Sequence, residues 1–277
     1  TVRRQDRPRG RRADQHPPVI RAGSALNRKP AIPALGWPLI ALRLAGMIAA
    51  LLICAPLFYL FAPFTRRNPV PRWFLRTLAT IAGARPRVIG ERPARDAFLV
   101  ANHVSWLDIP AIAGATGSAF IAHDGLAAIR PLRWLCSLND TVFVARHDRR
   151  SVSDQIAQVR LALRETGALT IFPEGTTSDG TGLLPFKSSL LSALDADADH
   201  IPVQPVWLDY GPETQEIAWV DAEPGIDNAL RILARWRPVA LTLHFLPPLS
   251  EPERRDRKAI ARAAHAAIAR AMTDRQD

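Results

Sequence analysis

His103 and Asp108 stand five residues apart in the stretch Ala101-Asn102-His103-Val104-Ser105-Trp106-Leu107-Asp108. An imidazole whose tautomer is held by a carboxylate is a general base. On one regular helix the two side chains would point about 140° apart, at roughly 3.6 residues per turn, so they can meet only where the chain changes direction. Such a junction is expected here, because Phe98 to Ala101 reads as a short buried strand and Asp108 to Ala115 as the start of an apolar helix. A second reading of the same residues stands beside the first. Ser105-x-x-Asp108 also fits a helix capping box, which would give Asp108 a structural job and leave His103 an ordinary half-buried histidine.

Two further stretches carry reactive or ligand-binding groups at the ends of expected strands, where α/β sheets bind ligands. In Leu169-Thr170-Ile171-Phe172-Pro173-Glu174-Gly175-Thr176-Thr177-Ser178 an apolar run stops at a proline, an acid, a glycine and three hydroxyls. Gly175 permits close backbone approach, and Thr176, Thr177 and Ser178 offer donors to a polar or anionic headgroup. The carboxylate of Glu174 in an apolar setting needs a partner; a plain turn is the competing reading of the whole stretch. In Thr141-Val142-Phe143-Val144-Ala145-Arg146 a strand delivers a guanidinium, the group best shaped for bidentate phosphate contact. Arg146 could instead pair with Asp148 or Glu174.

The elements that must position these groups follow from periodicity. Strands are expected at Phe98 to Ala101, Ala119 to Ala122, Thr141 to Ala145, Ala168 to Phe172, Val203 to Leu208, Ile217 to Val220 and Val239 to Phe245. Helical spacing relates Val152, Ile156, Val159 and Leu163, then Leu230 and Leu233, and a last helix from about Asp256 to Met272 carries Ile260, Ala264, Ile268 and Met272 on one stripe. The alternation predicts one α/β domain over 83–277, with a mixed, largely parallel sheet flanked by helices.

What precedes that domain is of two kinds. Of the net charge of +10, residues 1–30 hold +7, nine Arg or Lys against Asp6 and Asp14, so the basic character is largely a tail. Its proline and arginine content predicts disorder. It lacks the aromatic interleaving and folded elements of a nucleic-acid reader, so anionic lipid is the expected partner and nucleic acid is not; a plain solvated arm is the competing reading. Residues 31–82 form a membrane-associated helical segment: from Leu44 to Thr65 the chain is uncharged, long enough to cross a bilayer, for which about 20 residues suffice. Pro33, Pro38, Pro56 and Pro63 are expected to break it, and cations flank both ends, Arg28 and Lys29 before and Arg66, Arg67, Arg72 and Arg76 after. A single span normally carries its excess of cations on one side. Both ends are therefore expected on one face, the cytoplasmic one, with a hairpin or interfacial helix dipping into one leaflet of the cell membrane. A cleaved signal peptide is not expected, since no clear small-residue cleavage site follows the run. Cys54 and Cys136 are too few for a disulfide framework and lack metal-ligand spacing.

Four blocks in order, His103-x-x-x-x-Asp108, Val142-Phe143-Val144-Ala145-Arg146, Phe172-Pro173-Glu174-Gly175 and Ile201-Pro202-Val203-Gln204-Pro205-Val206, resemble the glycerolipid acyltransferases typified by bacterial 1-acyl-sn-glycerol-3-phosphate acyltransferase. The resemblance runs in motifs from about Leu99 to Val206. It implies a membrane-bound O-acyltransferase that moves an acyl chain from acyl-CoA or acyl carrier protein to the free hydroxyl of a lysolipid, with no other cofactor and no metal. His103 and Asp108 are then the catalytic pair, base and orienter, and Arg146, Glu174, Gly175 and Thr176, with Thr177 and Lys187, bind the acceptor. Asp140 replaces the usual glycine of the second block, Thr177 the usual arginine after Gly-Thr, and His123 a common lysine. The run Thr176 to Gly180, followed by Leu184-Pro185-Phe186-Lys187, also resembles relatives that acylate lyso-ornithine lipid, and Lys187 could replace part of the missing cation. The expected acceptor is 1-acyl-sn-glycerol-3-phosphate, giving phosphatidic acid, with lyso-ornithine lipid as the alternative. A catalytically silent lipid-binding protein is the competing class. No Gly-x-Ser-x-Gly elbow or His-Glu-x-x-His motif is present, which argues against a serine lipase or a zinc hydrolase.

Overall fold

The computed structural model describes residues 32–93, 96–123, 130–139, 141–144, 152–194, 201–220 and 223–275. The basic tail, Asp140 and Arg146 therefore lie outside the described residues. The strands are β1 (Ala84–Ile89), β2 (Ala97–Ala101), β3 (Ala119–His123), β4 (Val142–Val144), β5 (Ala168–Ile171), β6 (Val203–Asp209) and β7 (Val239–Phe245). They form one seven-stranded sheet in the order β1-β7-β6-β2-β5-β3-β4. Every pairing is parallel except β6 with β7, so the sheet is mixed and largely parallel. The helices are α1 (Gly36–Phe61), α2 (Val70–Ile81), α3 (Asp108–Thr116), α4 (Arg130–Ser137), α5 (Val152–Thr166), the short α6 (Thr214–Ile217), α7 (Gly225–Leu233) and α8 (Arg257–Asp274).

Strand β2 shows why this sheet must lie between two layers. All five of its residues are buried. Leu99 and Ala101 enter a core shared with α2, α3 and α7, while Phe98 and Val100 enter a second core shared with α5 and α8. Alternation along a strand sends successive side chains to opposite faces, so a strand apolar throughout needs cover on both. Helix α8 supplies part of that cover through Ile260, Ala264 and Ile268, and begins at Asp256, whose carboxylate accepts from the Lys258 and Ala259 amides at 2.8 Å.

Two expectations from periodicity are corrected. Ile217 to Val220 is not a strand: Ile217 ends the helical turn α6, and 218–220 carry no regular structure. The apolar run reflects burial of Ile217 and Ala218 from a turn, a pattern that short apolar segments share with strands. The prolines also fail to break the membrane segment, because α1 is one continuous helix of 26 residues, about 39 Å at 1.5 Å per residue. Pro38 falls in the first turn, where an N–H has no helical partner to lose, Pro33 and Pro63 lie outside, and Pro56 alone costs an interior hydrogen bond. Conversely, β1 escaped the pattern, because it is an edge strand with Pro86 inside it and every residue after Ala84 exposed.

One stripe of α1 packs along the body for its whole length. Gly36 and Ile40 are buried, and Arg43, Met47, Leu51, Cys54 and Phe58 follow on the same face at helical spacing, half-buried. The lone cation of the run is used structurally, since Arg43 donates to the carbonyls of Ile232 and Leu233 at the C-terminal end of α7, at 3.3 and 3.0 Å. The opposite face of α1, with Leu42, Ile48, Leu52, Ile53 and Leu60, is left exposed. By length and composition this helix could cross a membrane. The cations after α1 are partly committed too: Arg72 donates to the carbonyls of Gly114 and Ala115, and Arg67 pairs with Asp96 at 2.8 Å.

Helix α2 meets α3, the helix that carries Asp108, at Gly114. A Cβ there would lie 2.8 Å from Arg76 Cα and 3.0 Å from its backbone nitrogen. Gly114→Ala is therefore expected to lower stability by about 1–3 kcal/mol through overpacking against backbone. Gly182→Ala, with nothing within 4 Å of its Cβ position, is expected to stay within about 0.5 kcal/mol of wild type. Thermal midpoints of the two variants in the same detergent check the difference.

Candidate active site

Where β2 ends, the ladder to β6 is continued by a side chain. Asn102 donates from Nδ2 to the Leu208 carbonyl at 3.1 Å and accepts from the Leu208 amide at 2.7 Å. The chain then leaves the sheet as a loop, 102–107, that carries His103 and leads into α3. His103 Nδ1 lies 2.8 Å from Asp108 Oδ2. The same oxygen accepts from the Val104 and Ser105 amides at 2.7 and 2.9 Å, and Oδ1 accepts from the Tyr210 hydroxyl at 2.5 Å. All four contacts require a donor facing the carboxylate, so the imidazole proton sits on Nδ1 and the lone pair on Nε2. The ring is stacked on Phe172, with centroids 4.1 Å apart, and 16% of the side chain stays exposed, whereas Asp108 is fully buried.

The two readings of His103 and Asp108 meet in one carboxylate. One half of a capping box is present, because Asp108 Oδ2 accepts from the Ser105 amide; the reciprocal half is not, since Ser105 Oγ accepts a long 3.4 Å bond from the Leu107 amide and none from Asp108. The same Oδ2 also holds His103 Nδ1.

The backbone of the loop is held by other segments. Glu174 Oε1 accepts from the His103 amide at 2.9 Å, and its Oε2 accepts from the Leu184 amide at 3.1 Å. The His103 carbonyl accepts from the Ser178 amide at 2.8 Å and from its hydroxyl at 3.2 Å. The Val104 carbonyl accepts from the Trp219 amide at 2.9 Å. Thr177 closes the set by donating its hydroxyl to the Trp219 carbonyl. Glu174 is fully buried, and burial pushes its pKa up to about 7 against the opposing pull of the two amides and of His103.

The acceptor-side residues read from the sequence thus take different places. Glu174 sits beneath the loop, with both oxygens on backbone amides, and presents no surface to a headgroup. Thr177 is committed to Trp219, and Thr176 is half-buried beside it. Gly175 adopts φ +72°, which favours glycine, and Lys187 is exposed with its amine over it, 3.1 Å from where a Cβ would be. These residues cluster on the turn after β5, next to His103. Tyr210, Asn102 and Trp219 were not anticipated, and Ser178, expected to offer its hydroxyl to a headgroup, donates to the His103 carbonyl. The alternation Val206, Leu208, Tyr210 places the phenol on the face of the α3 core, but nothing local pairs it with an acid 102 residues earlier.

Comparison with known proteins gives concordant results. The model of the family described as Acyltransferase matches residues 83–209. The chain is 32% identical over 206 residues to a lyso-ornithine lipid O-acyltransferase of Rhodobacter capsulatus, covering 72% of this chain and 74% of that protein. It is 31% identical over 182 residues to a 1-acyl-sn-glycerol-3-phosphate acyltransferase of Neisseria gonorrhoeae, covering 65% and 71%. The fold matches the crystal structure of the 1-acyl-sn-glycerophosphate acyltransferase PlsC of Thermotoga maritima, with TM-score 0.62 and 20% identity, over 86% of this chain and 95% of that one.

The raised pKa of Glu174 has a stability consequence. A carboxyl that titrates near 7 in the folded protein, against an ordinary 4.5, binds its proton more tightly folded than unfolded. Its contribution is full below about pH 4.5, falls as pH rises to about 7 and is level above. Denaturant midpoints of wild type relative to Glu174→Gln are expected to decline across that window and then flatten.

Proposed function

The chain belongs to the acyltransferase family, and on that premise we propose that it moves a fatty acyl group from a thioester donor, acyl-CoA or acyl carrier protein, to the free hydroxyl of a lysolipid. The observation that carries this reading is the 2.8 Å contact between His103 Nδ1 and Asp108 Oδ2 on a ring that keeps an open edge. His103 Nε2 takes the proton of the acceptor hydroxyl as its oxygen attacks the thioester carbonyl. The tetrahedral adduct collapses, the C–S bond breaks, and the imidazolium returns its proton to the leaving thiolate. Asp108 holds the tautomer and stabilises the charged ring. The lipid hydroxyl is itself the nucleophile, so no acyl-enzyme is formed.

Lys187 over Gly175 supplies a cation on the acceptor side, suited to a phosphate or to the carboxylate of an amino-acid headgroup. The first acceptor is 1-acyl-sn-glycerol-3-phosphate. The second, lyso-ornithine lipid, is favoured by one observation: Thr177 stands where the resemblance leads one to expect an arginine, and its hydroxyl is already bound to the Trp219 carbonyl.

The membrane mode follows from α1. We propose that it lies in one leaflet at the cytoplasmic face, because one stripe is packed on the body from end to end and the other is apolar and exposed. Exposed aromatic side chains at its ends, Trp37 on one side and Tyr59 with Trp73 and Trp134 on the other, suit the headgroup level.

With a labelled acyl donor, His103→Ala is expected to cut transfer by about 10²–10⁴-fold while lysolipid binding persists, which a silent lipid binder could not show. Asp108→Asn at full wild-type rate would reject its orienting role. Transfer to lyso-ornithine lipid alone would select the second acceptor, and transfer to neither would reject the enzyme reading. For the membrane mode, cysteines placed at Leu35 and Phe64, both exposed, in a chain lacking Cys54 and Cys136 are expected to react with an impermeant maleimide from the same side of a vesicle. Labelling from opposite sides would establish a span.

A further inference from the structure

Tyr210 follows β6, is completely buried among Leu107, Val206, Leu208 and Ile217, and donates to Asp108 Oδ1 at 2.5 Å. An ionised carboxylate has about four acceptor sites. Three donors to Asp108, His103 Nδ1 and the Val104 and Ser105 amides, all reach Oδ2 and all come from the loop itself. Among the described residues, Tyr210 is the donor on the opposite oxygen, and it is anchored in a different part of the sheet.

We propose that Tyr210 is a positioning residue for acyl transfer that acts through Asp108, fixing the rotation of the carboxylate and setting how much of its charge is left for His103. The inference rests on the proposed role of His103 as base. Two physical effects support it. A carboxylate bonded on one oxygen only can swing about its Cβ–Cγ bond, whereas a strong donor on the second oxygen fixes its plane. That donor also draws charge from Oδ2, so its loss leaves Asp108 holding the imidazole proton more tightly. The phenol stays a donor at working pH, since burial, with Asp108 adding to it, drives its pKa well above the ordinary value. Among the described residues, the other titratable group that bears on the pair is Glu174, from the turn after β5, which acts electrostatically on both His103 and Asp108. It is common to wild type and variant and drops out of their comparison. Phe172, on the ring face, carries no charge.

The test is Tyr210→Phe in the intact chain, in detergent micelles. Carbon-13 histidine NMR follows the His103 titration, its signal assigned by its loss in His103→Gln. The expected result is a His103 pKa raised by about half a unit or more, matched by an upward shift in the acid limb of kcat. The value of kcat falls about tenfold, the loss of about 1.4 kcal/mol, with KM for the lysolipid unchanged. Tyr210→Phe is expected to add nothing to Asp108→Asn, because the two act as one unit. A merely packed tyrosine would lower the melting temperature and leave the titration and the acid limb in place, and that result overturns the proposal. If the phenylalanine variant does not fold, 3-fluorotyrosine at 210, a stronger donor, is expected to move the His103 pKa downward, and no movement overturns the proposal equally. The titration needs no turnover. A wild-type chain inactive on both lysolipids would therefore sink the enzyme reading separately.

Discussion

The carboxylate of Asp108 is the point on which the site depends. It is fully buried and anionic, a state that costs several kcal/mol unless the charge is met by donors. Four donors meet it, one from the imidazole, two from the loop backbone and one from Tyr210. The requirement works in both directions. The charge selects the tautomer of His103, and the need to satisfy the charge folds the 103–105 backbone around it. A neutral amide at 108 would have to turn its own donors toward groups that are themselves donors.

Around this centre the loop is fixed from three sides. The His103 amide is held by Glu174 after β5, the His103 carbonyl by Ser178, and the Val104 carbonyl by Trp219 after α6. Loops that leave a sheet expose backbone groups, and here they are paired with two other segments, the turn after β5 and the stretch after α6. The stacking of Phe172 on the ring, with Phe120 behind it at 6.0 Å, closes the remaining side. What is left open is a small part of the His103 side chain, 16% exposed. In its proposed role as base, the imidazole would meet a reactant already oriented by these partners.

The same body carries an apolar helix along one side. Because α2 packs against both α1 and α3, and α3 begins at Asp108, the apolar helix is mechanically close to the loop that carries His103. At Gly114 the contact between α2 and α3 leaves no room for a Cβ. With α1 on a membrane as proposed, this arrangement would hold His103 in a defined relation to the lipid surface.

Much of this was legible in the chain. The strand runs at Phe98, Ala119, Ala168, Val203 and Val239, the helical spacing after Val152 and the stripe from Ile260 to Ile268 all correspond to described elements, because burial on both sheet faces leaves a strong apolar signal. The pair His103 and Asp108 was legible because the geometry is local, five residues across one junction. Exposure erased the signal at β1, and burial without regular structure mimicked a strand at Ile217 to Val220. The sequence by itself therefore determined the layered α/β class, the meeting of His103 with Asp108, and an apolar segment of membrane-crossing length. Only the tertiary structure decided that Glu174 is a buried clasp on the loop and that Tyr210 completes the donors to the Asp108 carboxylate. Those facts depend on contacts between residues 71 to 102 positions apart, and no local pattern encodes which distant donor a buried charge will find.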